Sequence, residues 1–294
     1  MPDKRLDDNG LEKTLLNLKD IFIPLANNAG AHNSIYRGKF LGNSVTAEQW
    51  AAIADGSFAD LYVGDYWTIG SQDWVICDFD YYIRCGNANI TQHHVVVMPR
   101  TGMTIPAGTP LYGTSQTLTL LSGESSTAFM WNPTSTTNGG YKYSRMRQIV
   151  MKAANTIVIG HFGSNHIKAI DELYPDPSSA SDSGVAVNWA WFDQAQTNIK
   201  AQSLCDLCNE TMVYGQQVWG RGSAYTNVGY EVGMDKFQLS IFALDRSFAN
   251  IYTYWWLRSV TSATGATLVD FVGYPAVVTA SYALAVRPRF LLVG

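Results

Sequence analysis

Two segments near the C-terminus constrain this chain more than any other feature: Tyr254-Trp255-Trp256-Leu257-Arg258-Ser259 and Val286-Arg287-Pro288-Arg289-Phe290. In an extended strand successive side chains point to opposite faces, so Trp255, Leu257 and Ser259 share one side and Trp256 and Arg258 the other. The two tryptophans are therefore expected to face opposite ways, one anchoring the core and the other covering a loop or lining a surface. Arg287 follows an apolar run, and Pro288, which has no N–H, ends ladder pairing on its side. A guanidinium in this setting, at Arg258 or Arg287, is expected to be partly buried and forked onto backbone carbonyls or a carboxylate. Large Trp and Arg side chains of this kind usually complete a core, so Trp255, Trp256, Arg258, Arg287 and Pro288 read as scaffold.

The remaining composition fits a large folded body. A length of 294 residues suffices for one large core or two ordinary ones. With 47% apolar and only 15% charged residues, the chain is globular and not disordered. A formal charge of −4 and the lack of any basic run argue against nucleic acid as a partner. No run of about 18 apolar residues occurs, so no membrane insertion is expected. Met1 to Leu18 mixes Asp, Lys and Arg with leucines and lacks the apolar core of a signal peptide, which predicts synthesis and folding in a cytoplasm. Four cysteines are too few to staple a chain of this length and fit free thiols.

Periodicity predicts helices and strands in no regular alternation, hence an α+β fold. Leu11, Leu15, Leu18 and Phe22 mark a short amphipathic helix over Leu11 to Ile23, ended by Pro24. Thr46 is the expected N-cap of a second helix reaching Ile53, with Gly56 as its stop. Strands are expected at Trp74 to Ile76, Tyr81 to Ile83 and His94 to Met98, and helices at Arg145 to Ile157 and Asn198 to Val213. Pro175 to Gly184 reads as a surface loop. Gly139-Gly140 permits an unusual turn that sets Tyr141 against the body. The C-terminal strand candidates are Ile251 to Leu257, Ala266 to Val272 and Ala283 to Leu292, with Gly265 and Gly273-Tyr274-Pro275 as turns. Residues 1–31 form an N-terminal helix and linker, and 32–294 a single elaborated domain.

Few residues are grouped as chemistry would need them. Cys205-x-x-Cys208 has the spacing of a zinc or redox dithiol, but Cys77 and Cys85 lie far upstream and no partner knuckle flanks them. Core packing is the favoured reading for the pair. His93 and His94 are adjacent on an expected strand and point to opposite faces, while His161 and His166 are wrongly spaced for one helical face. A hydrogen bond inside the fold is the favoured role of His94. Asp78 and Asp80 share a face if their strand is regular, and hydrogen bonding in a turn is favoured over catalysis. Walker, GxGxxG, HExxH and GxSxG motifs are absent. The expectation is no catalytic residue, no metal and no cofactor.

Several stretches together carry a resemblance: Asn33-Ser34-Ile35-Tyr36-Arg37-Gly38, Gly64-Asp65-Tyr66-Trp67, Asp80-Tyr81-Tyr82, His93-His94, Asn138-Gly139-Gly140-Tyr141 and the two C-terminal segments. From about residue 32 onward the chain resembles a family of uncharacterised phage and prophage proteins. Its C-terminal pattern is similar to a domain of unknown function near the formylglycine-generating-enzyme branch of the C-type lectin fold. The resemblance implies a C-type-lectin-like domain with long irregular insertions, in a tail-associated virion protein. The enzymes of that branch need reactive cysteines near the end of the domain, and this chain has none after Cys208. The iron cluster His-x-x-x-His-x-Glu and the calcium tripeptides of sugar-binding lectins are missing as well.

The expected function is accordingly non-enzymatic: a phage virion protein at the tail or its fibres, made in the host cytoplasm, that binds a host-surface glycan or protein. The alternatives are a purely structural capsid-decoration or tail accessory protein and, as a minor one, an enzyme of the formylglycine-generating branch. Tyr252, Tyr254, Tyr274 and Tyr282 are the candidate ligand contacts, since tyrosine gives rigid contact area with little entropy to lose. Other virion subunits, and a second copy of the chain, are the expected partners.

Overall fold

Period-two runs of β-branched and aromatic residues become a central sheet, and the amphipathic stretches become short helices around it. The structure, a computed structural model, describes residues 10–18, 27–84, 90–173, 200–216, 218–219 and 237–294. The first part of the chain contains α1 (residues 10–18), α2 (Ala29–His32), β1 (Phe40–Gly42), α3 (Ala47–Ala54), β2 (Tyr66–Ile69), β3 (Gln72–Phe79), α4 (Tyr81–Arg84) and β4 (Val95–Pro99). The middle contains β5 (Phe129–Met130), α5 (Gly140–Tyr143), a π-helical turn (Met146–Val150) leading into α6 (Met151–Phe162), β6 (Ile167–Lys168), β7 (Ile170–Leu173), β8 (Lys200–Ser203) and β9 (Cys205–Asp206). The last part contains α7 (Glu210–Tyr214), α8 (Ser240–Leu244), β10 (Trp255–Val260), β11 (Gly265–Val269), β12 (Pro275–Thr279), β13 (Ala283–Leu284) and β14 (Arg289–Leu292). The protein is thus α+β. Of the N-terminal helix, residues 19–23 lie outside the described residues, as do the Pro175 to Gly184 loop and Cys85.

The central sheet runs β1-β2-β3-β4-β14-β6, and β9 shares the outer edge of β14 with β6. Only β1 and β2 are parallel; the other pairs are antiparallel. The C-terminal strand therefore sits inside the sheet, with Phe290, Leu291 and Leu292 opposite Val97, Val96 and Val95. A second sheet, β10-β11-β12, is built from consecutive hairpins. One continuous apolar cluster links both sheets, and it includes Trp67, Trp74, Trp131, Trp255 and Trp256. β5 pairs β13, and β7 pairs β8, as separate two-stranded ladders.

Local signals worked where they were self-contained. Thr46 caps α3 in a reciprocal box with Gln49, whose Oε1 accepts the Thr46 N–H at 3.0 Å. Gly139 and Gly140 both take positive φ, 83° and 64°, and Tyr141 is buried behind them.

Several assignments are corrected. Tyr81 to Ile83 is the helix α4 and not a strand: Asp80 at φ 53° breaks β3, and the turn drives Tyr81 and Tyr82 into the core. Of the helix expected over Asn198 to Val213, the first two residues lie outside the described residues, and from Lys200 onward the chain is helical only from Glu210, where Asn209 caps α7 by accepting the Met212 N–H at 2.8 Å. Upstream, pairing of Cys205 and Asp206 with Phe290 and Arg289 draws the chain into β9, so tertiary pairing overrides local helical pattern. Ala283 to Leu292 is not one strand but two, because the chain leaves regular pairing between Ala285 and Pro288. Two residues expected in turns belong to strands, Gly265 opening β11 and Pro275 opening β12, since they pair with Thr279 and Val269.

Candidate functional site

The two signature segments form a buried frame. Both tryptophans are fully buried, so of the two roles expected of the second one, covering a loop holds and lining a surface does not. The alternation along β10 holds, but both of its faces are covered. Trp255 lies under Phe242 and the turn Arg246–Ala249, donating its Nε1–H to the Ala249 carbonyl at 3.0 Å. Trp256 donates to the Phe129 carbonyl at 2.8 Å on the other side.

Arg258 and Arg287 are fully buried, not partly, and sequence reasoning missed a third buried arginine, Arg289. Arg287 forks as expected, onto the Pro99 carbonyl at 3.1 Å and the Phe248 carbonyl at 2.8 Å. Its guanidinium also lies over the rings of Phe248 and Trp255, and burial lowers its pKa to about 10, leaving it charged at neutral pH. Arg258 approaches the buried Asp206 carboxylate at 3.8 Å, and Arg289 donates to the Tyr82 hydroxyl. The only hint of Arg289 was its place at the head of an apolar strand. Pro288, also buried, precedes β14. All these residues serve the frame.

The other motif segments dock on each other in the same way. Asp65 is buried and accepts hydrogen bonds from the backbone N–H of Lys39 and of Tyr62, both at 2.8 Å, and from Arg37. Gly64, at φ 88°, lets the Tyr36 ring lie where a side chain would stand.

At one end of the second sheet the picture changes from frame to surface. The register Trp255↔Val269 and Val269↔Pro275 brings residues 252–254 and the 270–274 turn to the same end. Tyr252 and Tyr274 are 84% and 69% exposed there, and Tyr254 packs edge-on against the exposed Phe271 at 5.6 Å. The turn is tightly held: Asp270 Oδ1 accepts the N–H groups of Val272 and Tyr274 at 2.9 and 2.8 Å. Tyr214 donates its hydroxyl to the Gly273 carbonyl at 3.2 Å. Tyr252 has φ 57°, and its N–H is fixed by Asn250 Oδ1 at 3.1 Å. Tyr282 is exposed too, but it stands on a separate turn between β12 and β13, closed by its N–H onto the Thr279 carbonyl. Three of the four expected tyrosines are thus brought to one sheet end.

Beside Tyr274 opens a groove of about 550 Å³. Tyr214, Gln216, Gln238, Phe242, Arg246 and Tyr274 are among its walls. Among the described residues Arg246 is the one charged wall, and no carboxylate of theirs lies within ion-pairing distance of it. The exposed Trp219 borders the groove, its Nε1–H on the Pro275 carbonyl at 3.1 Å. The buried Glu210 carboxylate accepts the Trp219 and Val218 N–H groups at 2.9 and 3.3 Å. Burial, with Glu210 and Asp270 nearby, pushes the Tyr214 phenol far above its ordinary range, so it stays protonated. The sequence offered no sign of this groove, because its walls are scattered from Val213 to Pro275.

The remaining candidates are engaged in the fold. Cys77, Cys205 and Cys208 are free and buried; burial raises Cys208 to about 11 and pushes Cys77 and Cys205 well up from the ordinary thiol value, so all are thiols at neutral pH. His94 accepts the Tyr82 N–H through Nε2 at 3.1 Å, the internal bond expected of it. His93 meets Asp80 Oδ2 at 2.7 Å, and Asp80 Oδ1 accepts the His94 N–H at 3.0 Å. Asp78 accepts both the N–H and the hydroxyl of Ser240, at 2.9 and 2.8 Å, at the start of α8. The two aspartates thus make long-range ties and not the turn bonds expected of them, because a bulge between Ile76 and Asp78 and the break at Asp80 end the regular strand. Among the described residues no group of three or more His, Cys, Asp or Glu is placed to hold a metal, and no helix is long and apolar enough to cross a membrane. Compared with known family models, curated proteins and solved structures, the chain matches none.

Proposed function

We propose that this chain is a non-enzymatic component of a phage particle, at the tail or its fibres, that binds a host-surface ligand through the aromatic end of its second sheet. The carrying observation is the group Tyr252, Tyr254, Phe271 and Tyr274, all exposed and all set on hydrogen-bonded turns at the end of the buried strands β10 and β11. Exposed aromatics on a rigid support are costly to leave in water and cheap to order on binding, which is the combination a recognition face needs. The virion setting and the C-type-lectin-like assignment rest on the resemblance of the motif segments. The buried frame of arginines and tryptophans is compatible with that assignment.

The test is attachment of the labelled, purified chain to host cells, with a Tyr252→Ala/Tyr254→Ala/Tyr274→Ala variant as control. The variant is expected to lose binding while its thermal unfolding stays unchanged, since surface positions contribute little to stability. If the wild-type chain ignores host cells yet co-purifies with intact particles, the adhesin reading fails. A structural role would then stand, and one observation favours it independently: α1 exposes Leu11, Leu15 and Leu18, an apolar stripe suited to a neighbouring subunit.

A further inference from the structure

Resting on the binding reading above, we infer that the groove beside Tyr274 takes an acidic saccharide, with a sugar ring against the tyrosine and its carboxylate paired with Arg246. The volume of about 550 Å³ lies within the range of about 300–1,000 Å³ usual for small organic ligands. The walls divide by chemistry. Tyr274, Val272 and Phe242 give flat and apolar surface for the C–H face of a ring. Gln216 and Gln238 carry amides that both donate and accept, as hydroxyl groups require. One N–H of Gln238 is held by the Val213 carbonyl at 2.8 Å, which fixes the side chain and leaves its oxygen for a ligand.

Arg246 decides the charge of the ligand. A guanidinium carries five donors and no acceptor, and this one has no carboxylate partner among the described residues. A planar carboxylate is the group it matches bidentately. A single cation among the described walls suits one carboxylate per ring; a phosphate-rich polymer would call for several. An extended peptide is disfavoured at the same lip, because Pro275 has no N–H to offer and its carbonyl is taken by Trp219.

The experiment is a calorimetric titration of the full chain with hexuronate tetramers of the galacto and gluco series, with their methyl esters, and with a tetrapeptide bearing a free C-terminal carboxylate. At least one acid tetramer is expected to bind, and its ester about tenfold more weakly, the loss of one charge-assisted contact. Arg246→Ala should bring the acid down to the level of the ester, Arg246→Lys should retain part of the difference, and Tyr274→Ala should weaken acid and ester alike. The inference is overturned if ester and acid bind equally, if Arg246→Ala changes nothing, if the peptide matches the saccharide, or if no saccharide binds. Host-cell attachment separates the two levels: a chain that attaches through its tyrosines but is indifferent to Arg246→Ala loses this inference and keeps the binding reading.

Discussion

Replacing Arg287 by alanine removes a side chain that packs one signature segment against the other. Its guanidinium donates to the Pro99 and Phe248 carbonyls and lies over the rings of Phe248 and Trp255, with no exposure to water. Truncation strips two buried carbonyls of charged donors, at about 1.5–3 kcal/mol each. Loss of a desolvated cation from two aromatic faces removes about 2 kcal/mol more. Against this stands the desolvation that truncation relieves. Burial lowers the pKa from 12.5 to about 10, which corresponds to about 3 kcal/mol of disfavoured charge. The balance is a destabilisation of about 2–5 kcal/mol, in the range seen when one partner of a buried charged contact is deleted. Arg287→Met refills the volume without restoring donors, so it should be milder than alanine by about 1–2 kcal/mol. Urea unfolding followed by tryptophan fluorescence reads both variants, Trp255 lying directly against the guanidinium. An alanine variant within about 0.5 kcal/mol of wild type, the usual result at a surface position, would refute the reasoning. So would a methionine variant less stable than the alanine one.

The cap of α3 offers a graded comparison: Thr46→Ala removes one capping bond, at about 1 kcal/mol. Gln49→Ala should cost about 2–3 kcal/mol, because Gln49 Oε1 also accepts the indole N–H of the buried Trp67 at 2.9 Å, and equal midpoints for the two variants would contradict this. Cys77, Cys205 and Cys208 should resist an aromatic disulfide reagent at pH 8 until the chain unfolds; three fast-reacting thiols in the native protein would contradict their burial. Since burial raises all three above the ordinary value of 9.0, the unfolded chain holds fewer protons than the native one once the pH passes about 9. Their contribution to stability, complete below that value, should therefore fall between about pH 9 and 11, as read by unfolding midpoints. Burial lowers His161 below 6.5, so the unfolded chain binds more protons in acid and stability should fall as the pH drops below 6.5; His161→Leu should flatten that slope, and an unchanged slope would exclude His161 as its source.

What the sequence made legible was what a few neighbouring residues decide among themselves. Thr46 with Gly56 marked the bounds of a helix, Gly139-Gly140 declared an unusual turn, and Arg287 before a proline declared a guanidinium in need of carbonyls. Illegible was whatever depended on a distant partner. The period along β10 separated Trp255 from Trp256 correctly, yet nothing in it announced that Phe129 would cover one and Phe242 the other. Cys205 and Asp206 lay within a helical pattern that the edge of β14 overruled, as β7 did for residues 200–203. The candidate site suffered most from this limit. Exposed tyrosines were guessed from composition, and three of them share a sheet end because a hairpin register puts them there, whereas Tyr282 sits on another turn. Arg246 and the glutamines, which give the groove its polarity, had no local mark at all.

The frame and the face are parts of one arrangement. Arg287 holds the Phe248 carbonyl and Trp255 holds the Ala249 carbonyl, so both signature segments fasten the turn Arg246–Ala249. That turn begins with the residue assigned to the ligand's charge. It is followed directly by Asn250, whose side chain fixes the backbone of Tyr252 and whose backbone lies against Gly273 beside Tyr274. Core residues thereby set the positions of an exposed guanidinium and two exposed tyrosines without touching a ligand themselves. A binding surface made of turns is normally the least stable part of a fold. Here its turns are anchored to the most buried strand of the second sheet, which removes much of the ordering entropy that a loop surface would otherwise lose on binding.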